Sequence, residues 1–383
     1  MRYYEVVFSG VNLAALTYKS ELDITPFLAV TAKLRGKSLT GFILREVDEP
    51  NFKTSFIDEI LPLKLNDIQA TLAKFIAYYY TCELGVAINL FEPQSLVDDE
   101  IYSGATDFKS PNLSTKQLEA LNFINARKSS LIFGDTGSGK SEIYIAKTRE
   151  ILNAGGQALF LMPEISLTPQ MQKRLESFFG EAVAVWHSKI TPKKKEQILK
   201  EIKSGKARLI AGARSALFLP LERLKLIIID EEHDDSYKNT GSKPHYNARD
   251  LALFLTSKFD LQVVLGSATP SLTSFYKQEH FRLKGTYFES QKSYIFDESE
   301  TGISEILKEQ IAKTLENKKQ AVICLPTRAN FKYLVCKNCG ETVKCPFCSI
   351  GMSYYKKQNV LKCQYCEHKM AVPKTCHQCG SEM

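Results

Sequence analysis

The sequence has no long apolar run and no targeting segment. No stretch approaches the roughly 18 apolar residues that a membrane-spanning helix needs. The amino terminus, MRYYEVVF, lacks the basic start and apolar core of a signal peptide. Low-complexity tracts are also missing, and the paired cysteines near the end are the only repeated pattern. These absences argue against secreted and membrane-spanning classes and predict a cytoplasmic protein.

Composition is that of a globular protein of several domains. The chain has 383 residues, of which 44% are hydrophobic and 24% charged. This length predicts two to four units with cores of their own. The formal net charge of +7 hints at a polyanionic partner. It would be smaller if the cysteines bind metal as thiolates, so evidence for nucleic-acid binding must come from motifs.

Hydrophobic patterning predicts an α/β protein. Short β-like stretches (Tyr3–Phe8, Phe27–Ala32, Leu39–Leu44) come first, followed by a helical pattern over 65–91 and a polar linker over 95–111. From 112 to 290, strands and helices alternate, which implies a parallel sheet with helices on both faces. A second α/β unit is predicted to begin with a helix at Ile303–Asn317 and a strand at Ala321–Leu325. The expected strands of the first unit are Leu131–Phe133, Ala158–Met162, Ala182–Trp186, Leu209–Ala211, Leu224–Ile229 and Val263–Leu265, with helices at Thr168–Phe179 and Pro192–Lys203.

A phosphate-binding loop follows the first of these strands. Its residues are Gly134, Asp135, Thr136, Gly137, Ser138, Gly139, Lys140 and Ser141. Backbone N–H groups and the start of the next helix form the anion site in such loops. Lys140 is expected to contact the β and γ phosphates of ATP, and the Ser141 hydroxyl to bind Mg²⁺. The strand before the loop and the helix after it make a chance match improbable.

An acidic cluster, Asp230-Glu231-Glu232-His233, follows the apolar strand Leu224–Ile229. Alone, such a cluster is usually a solvated loop. At the end of a buried strand and downstream of a phosphate loop, it predicts a catalytic site. Asp230 would hold the metal ion, and Glu231 would orient and deprotonate the attacking water.

Eight of the ten cysteines form four Cys-x-x-Cys pairs near the end of the chain. In a long chain without a secretion signal this indicates metal binding rather than disulfides. Four pairs supply ligands for two closed tetrahedral Zn²⁺ sites, and spacing alone leaves three ways of combining them. Cys82 and Cys324 stand apart among apolar residues and are predicted to be buried. The paired cysteines are Cys336, Cys339, Cys345, Cys348, Cys363, Cys366, Cys376 and Cys379.

The ordered set of motifs resembles the superfamily-two helicases, and within them the PriA family of bacterial replication-restart helicases. The segments that carry the resemblance are GDTGSGKSEIYI, LMPEISLTPQ, AGARSALFLP, DEEHDDSYK, HYNARDLA and GSATPS. The resemblance covers the chain from about 112 to its end. An unrelated phosphate-loop enzyme, such as a small-molecule kinase, fits this set poorly.

The resemblance implies roles for further residues. Segments around Pro163–Gln170 and Arg214–Phe218 resemble those that touch single-stranded DNA, and Ser267 and Thr269 resemble the segment that couples hydrolysis to movement. Tyr237 and Tyr246 resemble aromatic residues that sense DNA, with ordinary packing as the alternative. Gln117 is expected to contact adenine, with a surface position as the alternative. His233 belongs to the catalytic motif, and the implied zinc pairing is nested. One ion would be held by Cys336, Cys339, Cys376 and Cys379, and the other by Cys345, Cys348, Cys363 and Cys366.

The resemblance also implies a domain order. It runs from a 3′-end-binding β-rich domain (1–62) through a winged-helix-like module (63–95), a linker (96–111) and the ATP-binding lobe (112–290) to the start of a second lobe (300–334) and a zinc module (335–383). The N-terminal region matches least well, since Leu16-Thr17 stand where the family has Phe-Asp. Pro326-Thr327-Arg328-Ala329 also departs from the family pattern.

The implied activity is ATP-dependent 3′→5′ unwinding at arrested forks. The implied partners are forked and single-stranded DNA, single-stranded-DNA-binding protein, other primosome proteins and the replicative helicase, with the protein itself a nucleoid-associated monomer. Because the later helicase motifs, including a transition-state arginine, do not occur before Met383, the chain is expected to be truncated and to turn ATP over slowly. The alternative function is a fork-binding scaffold with an idle ATPase.

Overall fold

The computed structural model describes residues 1–97, 102, 107–163, 169–187, 190–286, 293–297, 304–324, 331, 333–347, 350–364 and 367–382. The chain divides into two compact units, Met1–Gln291 and Lys292–Met383. Each unit is described by itself. Within the described residues, no helix combines the length and apolar character needed to cross a bilayer.

The first unit opens with a six-stranded sheet in the order β2-β1-β4-β3-β5-β6. A further parallel pairing of β2 with β5 curls the sheet on itself. The expected strands at β1, β3 and β4 are confirmed, whereas β2, β5 and the two-residue β6 were missed. The β5 sequence, SFIDEILPLK, mixes acidic residues and a proline into a largely exposed strand, so its hydrophobic alternation is weak. The strands are β1 Arg2–Phe8, β2 Leu16–Ser20, β3 Leu28–Leu34, β4 Lys37–Val47, β5 Ser55–Lys64 and β6 Gln94–Ser95.

Two helices, α1 (Asp67–Tyr79) and α2 (Leu84–Ile88), form the helical module. Asn66 caps α1, because its side chain accepts from the Gln69 backbone N–H while the Gln69 side chain accepts from the Asn66 N–H. The Gln69 amide nitrogen donates to the carbonyls of Glu92 at 2.7 Å and Phe218 at 3.0 Å. Phe218 belongs to the parallel-sheet lobe that follows in the chain, so this helix is docked onto that lobe.

The lobe contains a seven-stranded parallel sheet in the order β13-β7-β12-β11-β8-β10-β9. Neighbouring residues of its strands, such as Ile227 and Ile228, belong to different hydrophobic clusters, so both faces of the sheet are buried. The alternating pattern predicted from the sequence is confirmed. Its strands are β7 Ser129–Gly134, β8 Gln157–Leu161, β9 Val183–Trp186, β10 Leu209–Gly212, β11 Leu224–Asp230, β12 Gln262–Ser267 and β13 His280–Leu283. Its helices are α3 Thr115–Asn125, α4 Lys140–Asn153, α5 Pro169–Phe179, α6 Pro192–Ser204, α7 Ala248–Leu255 and α8 Leu272–Lys277.

The second unit contains the helix α9 (Glu305–Glu316) and a small antiparallel sheet. The sheet consists of β14 (Ser353–Tyr355), β15 (Val360–Lys362) and β16 (Lys369–Ala371). The strand expected at Ala321–Leu325 is wrong for residues 321–324, which are exposed and carry no strand pairing, while residue 325 lies outside the described residues. The expectation that Cys324 is buried is likewise wrong, and Cys82 is half-buried.

Candidate functional site

The phosphate loop connects β7 to α4. Gly137 and Gly139 adopt left-handed backbone conformations, with φ of 79° and 83°, which favour glycine. A Cβ at Gly139 would also collide with the side-chain amide nitrogen of Gln117. The loop ends at the first turn of α4, a helix of 14 residues, whose unpaired N–H groups suit an anion. The Lys140 ammonium donates to the Gly134 carbonyl at 2.9 Å, so it lies within the phosphate loop.

Two side chains brace the phosphate loop in ways that the motif alone did not indicate. Gln117 is 2% exposed. Its amide oxygen accepts from the Ser114 N–H at 2.8 Å, and its amide nitrogen donates to the Gly139 carbonyl at 3.2 Å. The Asp135 carboxylate pairs with Arg282 and accepts from the Gly285 N–H at 2.8 Å. In this structure Gln117 and Asp135 therefore hold the loop against α3 and β13.

Asp230 and Glu231 face the phosphate loop across an open cavity of about 640 Å³. Thr136, Gly137, Ser138, Gly139, Lys140 and Ser141 line the same cavity. Burial, with a contribution from the charge of Glu231, raises the pKa of Asp230 to about 6, and Lys140 opposes this rise. The Ser141 hydroxyl and the Asp230 carboxylate offer the oxygen ligands that Mg²⁺ prefers. The residues present therefore fit a magnesium-bound nucleotide.

His233 joins the acidic motif to the segment after β12. Its Nδ1 lies 2.8 Å from the Ser267 hydroxyl, and its Nε2 lies 3.4 Å from the Thr269 hydroxyl. The Thr269 backbone N–H donates to the Ser267 hydroxyl at 2.9 Å, which closes the cluster. His233 Nδ1 also lies 3.7 Å from the Glu231 carboxylate. The structure thus brings together four residues that the sequence analysis assigned to catalysis and coupling.

Glu232 is a site residue that the sequence analysis did not single out. Its side chain is buried and pairs with Arg249 at 2.9 Å. It also accepts from the Ser271 N–H at 2.7 Å and from the Ser274 hydroxyl at 2.6 Å. These bonds tie the turn after β11 to α7 and α8. The sequence contained one relevant residue, Arg249 in the segment HYNARDLA, but its position in the sequence does not indicate that Glu232 is its partner.

Tyr237 and Tyr246, expected to sense DNA, are buried, with exposed fractions of 1% and 4%. The Tyr237 hydroxyl lies 2.5 Å from the Asp230 carbonyl and 3.1 Å from the Leu161 carbonyl. The Tyr246 ring packs edge-on against Phe218, with centroids 5.0 Å apart. Because neither ring face is open to a base, the structure corrects the stacking role and favours the packing alternative.

Arg214 lies at the start of the segment that resembles a DNA contact. Its guanidinium donates to the carbonyls of Ser236 at 2.7 Å and Lys238 at 3.2 Å. It therefore braces the loop that follows the acidic motif. Of the other expected DNA-contacting segment, Pro163–Gln170, residues 164–168 lie outside the described residues.

Four cysteines in the second unit form a candidate metal centre. The sulfur atoms of Cys336, Cys339, Cys376 and Cys379 all lie within 4.8 Å of one another. The sulfurs of Cys336 and Cys379 are 3.6 Å apart, as are those of Cys339 and Cys376. Four thiolates around a tetrahedral Zn²⁺, each at about 2.3 Å, lie about 3.8 Å apart. This cluster fits zinc and combines the first and last cysteine pairs.

The first cysteine of each pair makes the same kind of backbone hydrogen bond. The N–H of the first cysteine donates to the carbonyl five residues on, from Cys336 to Glu341, Cys345 to Ile350, Cys363 to His368 and Cys376 to Ser381, at 2.7–2.9 Å. Cys345 and Cys363 are buried together in the small core of this unit. Cys348 and Cys366, the remaining expected ligands, lie outside the described residues, so the second site stays a prediction.

Comparison with known proteins agrees with this geometry. A family model described as "DEAD/DEAH box helicase" matches residues 114–277, and a model for the "PriA DNA helicase Cys-rich region (CRR) domain" matches residues 345–370. The phosphate loop, the acidic motif and the parallel sheet thus make the first unit's lobe one of the DEAD/DEAH helicase class.

Similarity to whole proteins is more specific. The chain is 44% identical to "Replication restart protein PriA" of Helicobacter pylori (strain J99 / ATCC 700824) over 373 residues, which is 96% of this chain and 60% of that protein. It is 35% identical to the protein of the same name from Rickettsia felis over 409 residues, 99% of this chain and 62% of that protein. The chain belongs to the PriA family, and it spans about 60% of the length of these relatives.

A solved structure titled "Crystal Structure of DUF1998 helicase MrfA bound to DNA and AMPPNP" also matches. The TM-score is 0.40 at 17% identity, over 54% of this chain and 32% of that one. A likeness of this size carries no argument about function.

Proposed function

We propose that the protein is an ATP-dependent 3′→5′ DNA helicase that acts in replication restart at arrested forks. One observation carries the proposal. The carboxylates of Asp230 and Glu231 line the same cavity as the phosphate loop, and His233, 3.7 Å from the Glu231 carboxylate, contacts the Ser267 and Thr269 hydroxyls. The acidic motif is thereby linked through the ring nitrogens of His233 to the end of β12 and the segment that follows it.

Hydrolysis at this site requires positioning and charge neutralisation more than covalent chemistry. Bound Mg²⁺ would neutralise charge on the β and γ phosphates. Ser141 and Asp230 would hold that ion, and Lys140 would leave the Gly134 carbonyl for the phosphates. Glu231, beside Asp230, would orient the attacking water and accept its proton.

Coupling to DNA would run through His233. Its two ring nitrogens contact the Ser267 and Thr269 hydroxyls, while its Nδ1 lies near Glu231. A shift of Glu231 on hydrolysis would therefore change the hydrogen bonds of the segment after β12. Coupling needs an element with two discrete arrangements, and this contact would be that element.

We assign the remaining parts of the chain on the family resemblance. Residues 1–62 would bind the 3′ end of a strand, 63–95 would form the winged-helix-like module and 96–111 the linker. The lobe would occupy 112–290, with the second lobe starting at 300–334. Residues 335–383 would hold two Zn²⁺ ions in the nested pairing. Partners would be forked and single-stranded DNA, single-stranded-DNA-binding protein, other primosome proteins and the replicative helicase, in the bacterial cytoplasm at the nucleoid, with the protein a monomer.

The test is unwinding of forked duplexes that carry a single strand of either polarity. The proposal expects ATP-driven unwinding of the substrate that allows 3′→5′ movement, and none by Glu231→Gln. If Glu231→Gln binds forks normally and supports restart as well as the wild type, the protein is the fork-binding scaffold instead.

A further inference from the structure

The nucleotide cavity has walls that the helicase motifs do not account for. Besides the phosphate loop and the two carboxylates, its described lining includes Pro111, Asn112, Arg174 and Phe178. The first two precede α3, and the last two belong to α5. None of these four residues belongs to the phosphate loop or to the carboxylates that would hold the metal ion.

The geometry of α5 presents Arg174 and Phe178 together. The two residues are four apart, so they share one face of the helix. Leu175 and Phe179 are buried in the lobe core, which fixes the rotation of the helix. Phe178 is half-buried, and it lines the cavity. A half-buried ring beside a cavity offers a flat apolar surface to a ligand.

Arg174 is held beside the phosphate loop. Its guanidinium pairs with Glu142, in the first turn of α4 directly after Ser141. Because Glu142 already balances the charge of Arg174, this guanidinium suits a neutral planar group better than a further phosphate. A planar guanidinium stacks well on aromatic rings.

Gln117, the residue expected to contact adenine, is engaged elsewhere. Its amide oxygen accepts from the Ser114 N–H, and its amide nitrogen donates to the Gly139 carbonyl. A nucleotide base in this cavity therefore needs contacts from other side chains.

We infer that Phe178 and Arg174 bind the adenine base of ATP, Phe178 by stacking and Arg174 by placing its guanidinium against the base. The inference rests on the proposed function, because it takes ATP as the ligand of the phosphate loop. Bases stack on aromatic side chains and on guanidinium groups without regard to sequence. The pair would thus strengthen binding of a nucleoside triphosphate over that of a bare triphosphate.

Calorimetric titration of the 383-residue chain with two magnesium-bound probes, ATP and inorganic tripolyphosphate, tests this assignment. Loss of base stacking in Phe178→Ala should raise the Kd for ATP about tenfold and leave that for tripolyphosphate unchanged. Phe178→Tyr keeps the ring and should bind ATP as the wild type does. Arg174→Lys keeps a positive charge opposite Glu142 but loses the planar guanidinium, so it should weaken ATP binding alone. Lys173→Ala, which removes a neighbouring exposed charge on α5, should change neither ligand.

Two outcomes would overturn the assignment. If Phe178→Ala binds ATP like the wild type, the ring is not a base platform. If Arg174→Lys binds ATP like the wild type, the guanidinium does not lie against the base. Lys140→Ala tests the proposed function separately, since it should weaken both probes. Unchanged binding in that variant, or a wild-type chain that binds neither probe, would reject the phosphate-loop site itself.

Discussion

Glu232 places a carboxylate inside the lobe, where Arg249 and two serines supply its hydrogen bonds. Removing one partner of a buried ion pair leaves the other charge uncompensated, which costs about 3–5 kcal/mol. We expect Glu232→Ala to lower the free energy of unfolding of the first unit by about that amount, measured by urea denaturation. Glu119→Ala, on the exposed side of α3, is the matched control and should stay within about 0.5 kcal/mol of the wild type. Equal stability of both variants would contradict this account of the network.

Asp230 gives a prediction about pH. Folding raises the pKa of its carboxyl from 3.8 to about 6, so the folded state favours the protonated form. The stability from this preference is present in full below pH 3.8 and is lost as pH rises through about 6. Asp230→Asn should therefore raise the free energy of unfolding by about 2–3 kcal/mol above pH 7 and change it little near pH 4. Thermal unfolding in EDTA at both pH values measures the difference, and a gain independent of pH would contradict the assigned cause.

At the residue scale, the sequence predicted the groups whose chemistry follows from a short motif. Lys140, Asp230 and Glu231 lie together because a loop and a strand end of one parallel sheet place them there. The roles of Gln117, Glu232 and Tyr237 depend on partners far along the chain. Tyr237, for example, meets the Leu161 carbonyl across 76 residues. No local pattern contains that information.

At the scale of elements, α1 shows how the N-terminal part is joined to the lobe. The buried Gln69 amide donates to Glu92 and Phe218, and the Phe75 ring stacks on Phe254 with centroids 3.8 Å apart. Gln69→Ala removes a donor from the Glu92 carbonyl and one of the two donors from the Phe218 carbonyl, which also accepts from the Glu92 N–H. Each lost hydrogen bond costs about 1 kcal/mol. We expect faster amide hydrogen exchange in α1 of this variant. Gln172→Ala, exposed on α5, is the control, and equal exchange in both variants would contradict the docking role.

The four cysteine pairs give a second prediction at this scale. If the nested pairing holds, Cys345→Ser should lower the zinc content from two ions to one per chain. Only the set of Cys345, Cys348, Cys363 and Cys366 would then lose a ligand. Cys336→Ser should also lower the zinc content to one ion, because it removes a ligand from the set of Cys336, Cys339, Cys376 and Cys379. Cys82→Ser should leave both ions bound. Zinc measured by mass spectrometry of the purified protein decides this. A wild-type content of one ion would contradict the two-site proposal.

Most elements of the lobe could be predicted from the sequence, because its buried strands are continuous apolar runs between amphipathic helices. The strands of the N-terminal sheet were harder to predict. β5 is exposed along much of its length and is held by pairing with β3 and β2. Residues 321–324 show the opposite case, since an apolar run is not a strand unless another strand fills its backbone hydrogen bonds.

At the scale of the whole molecule, the candidate nucleotide site and the candidate metal centre belong to different compact units. The first contains the N-terminal sheet, the helices α1 and α2 and the lobe with the phosphate loop. The second contains the four cysteine pairs. The PriA relatives match nearly the whole chain, both units included, and they are named for replication restart. The central claim is that ATP hydrolysis at the phosphate loop responds to DNA.

ATP hydrolysis by the chain with and without a forked DNA, alongside Lys140→Ala, tests that claim most directly. The account predicts slow hydrolysis that rises when forked DNA is added and disappears in Lys140→Ala. Hydrolysis that survives in Lys140→Ala, or that forked DNA leaves unchanged, would contradict it.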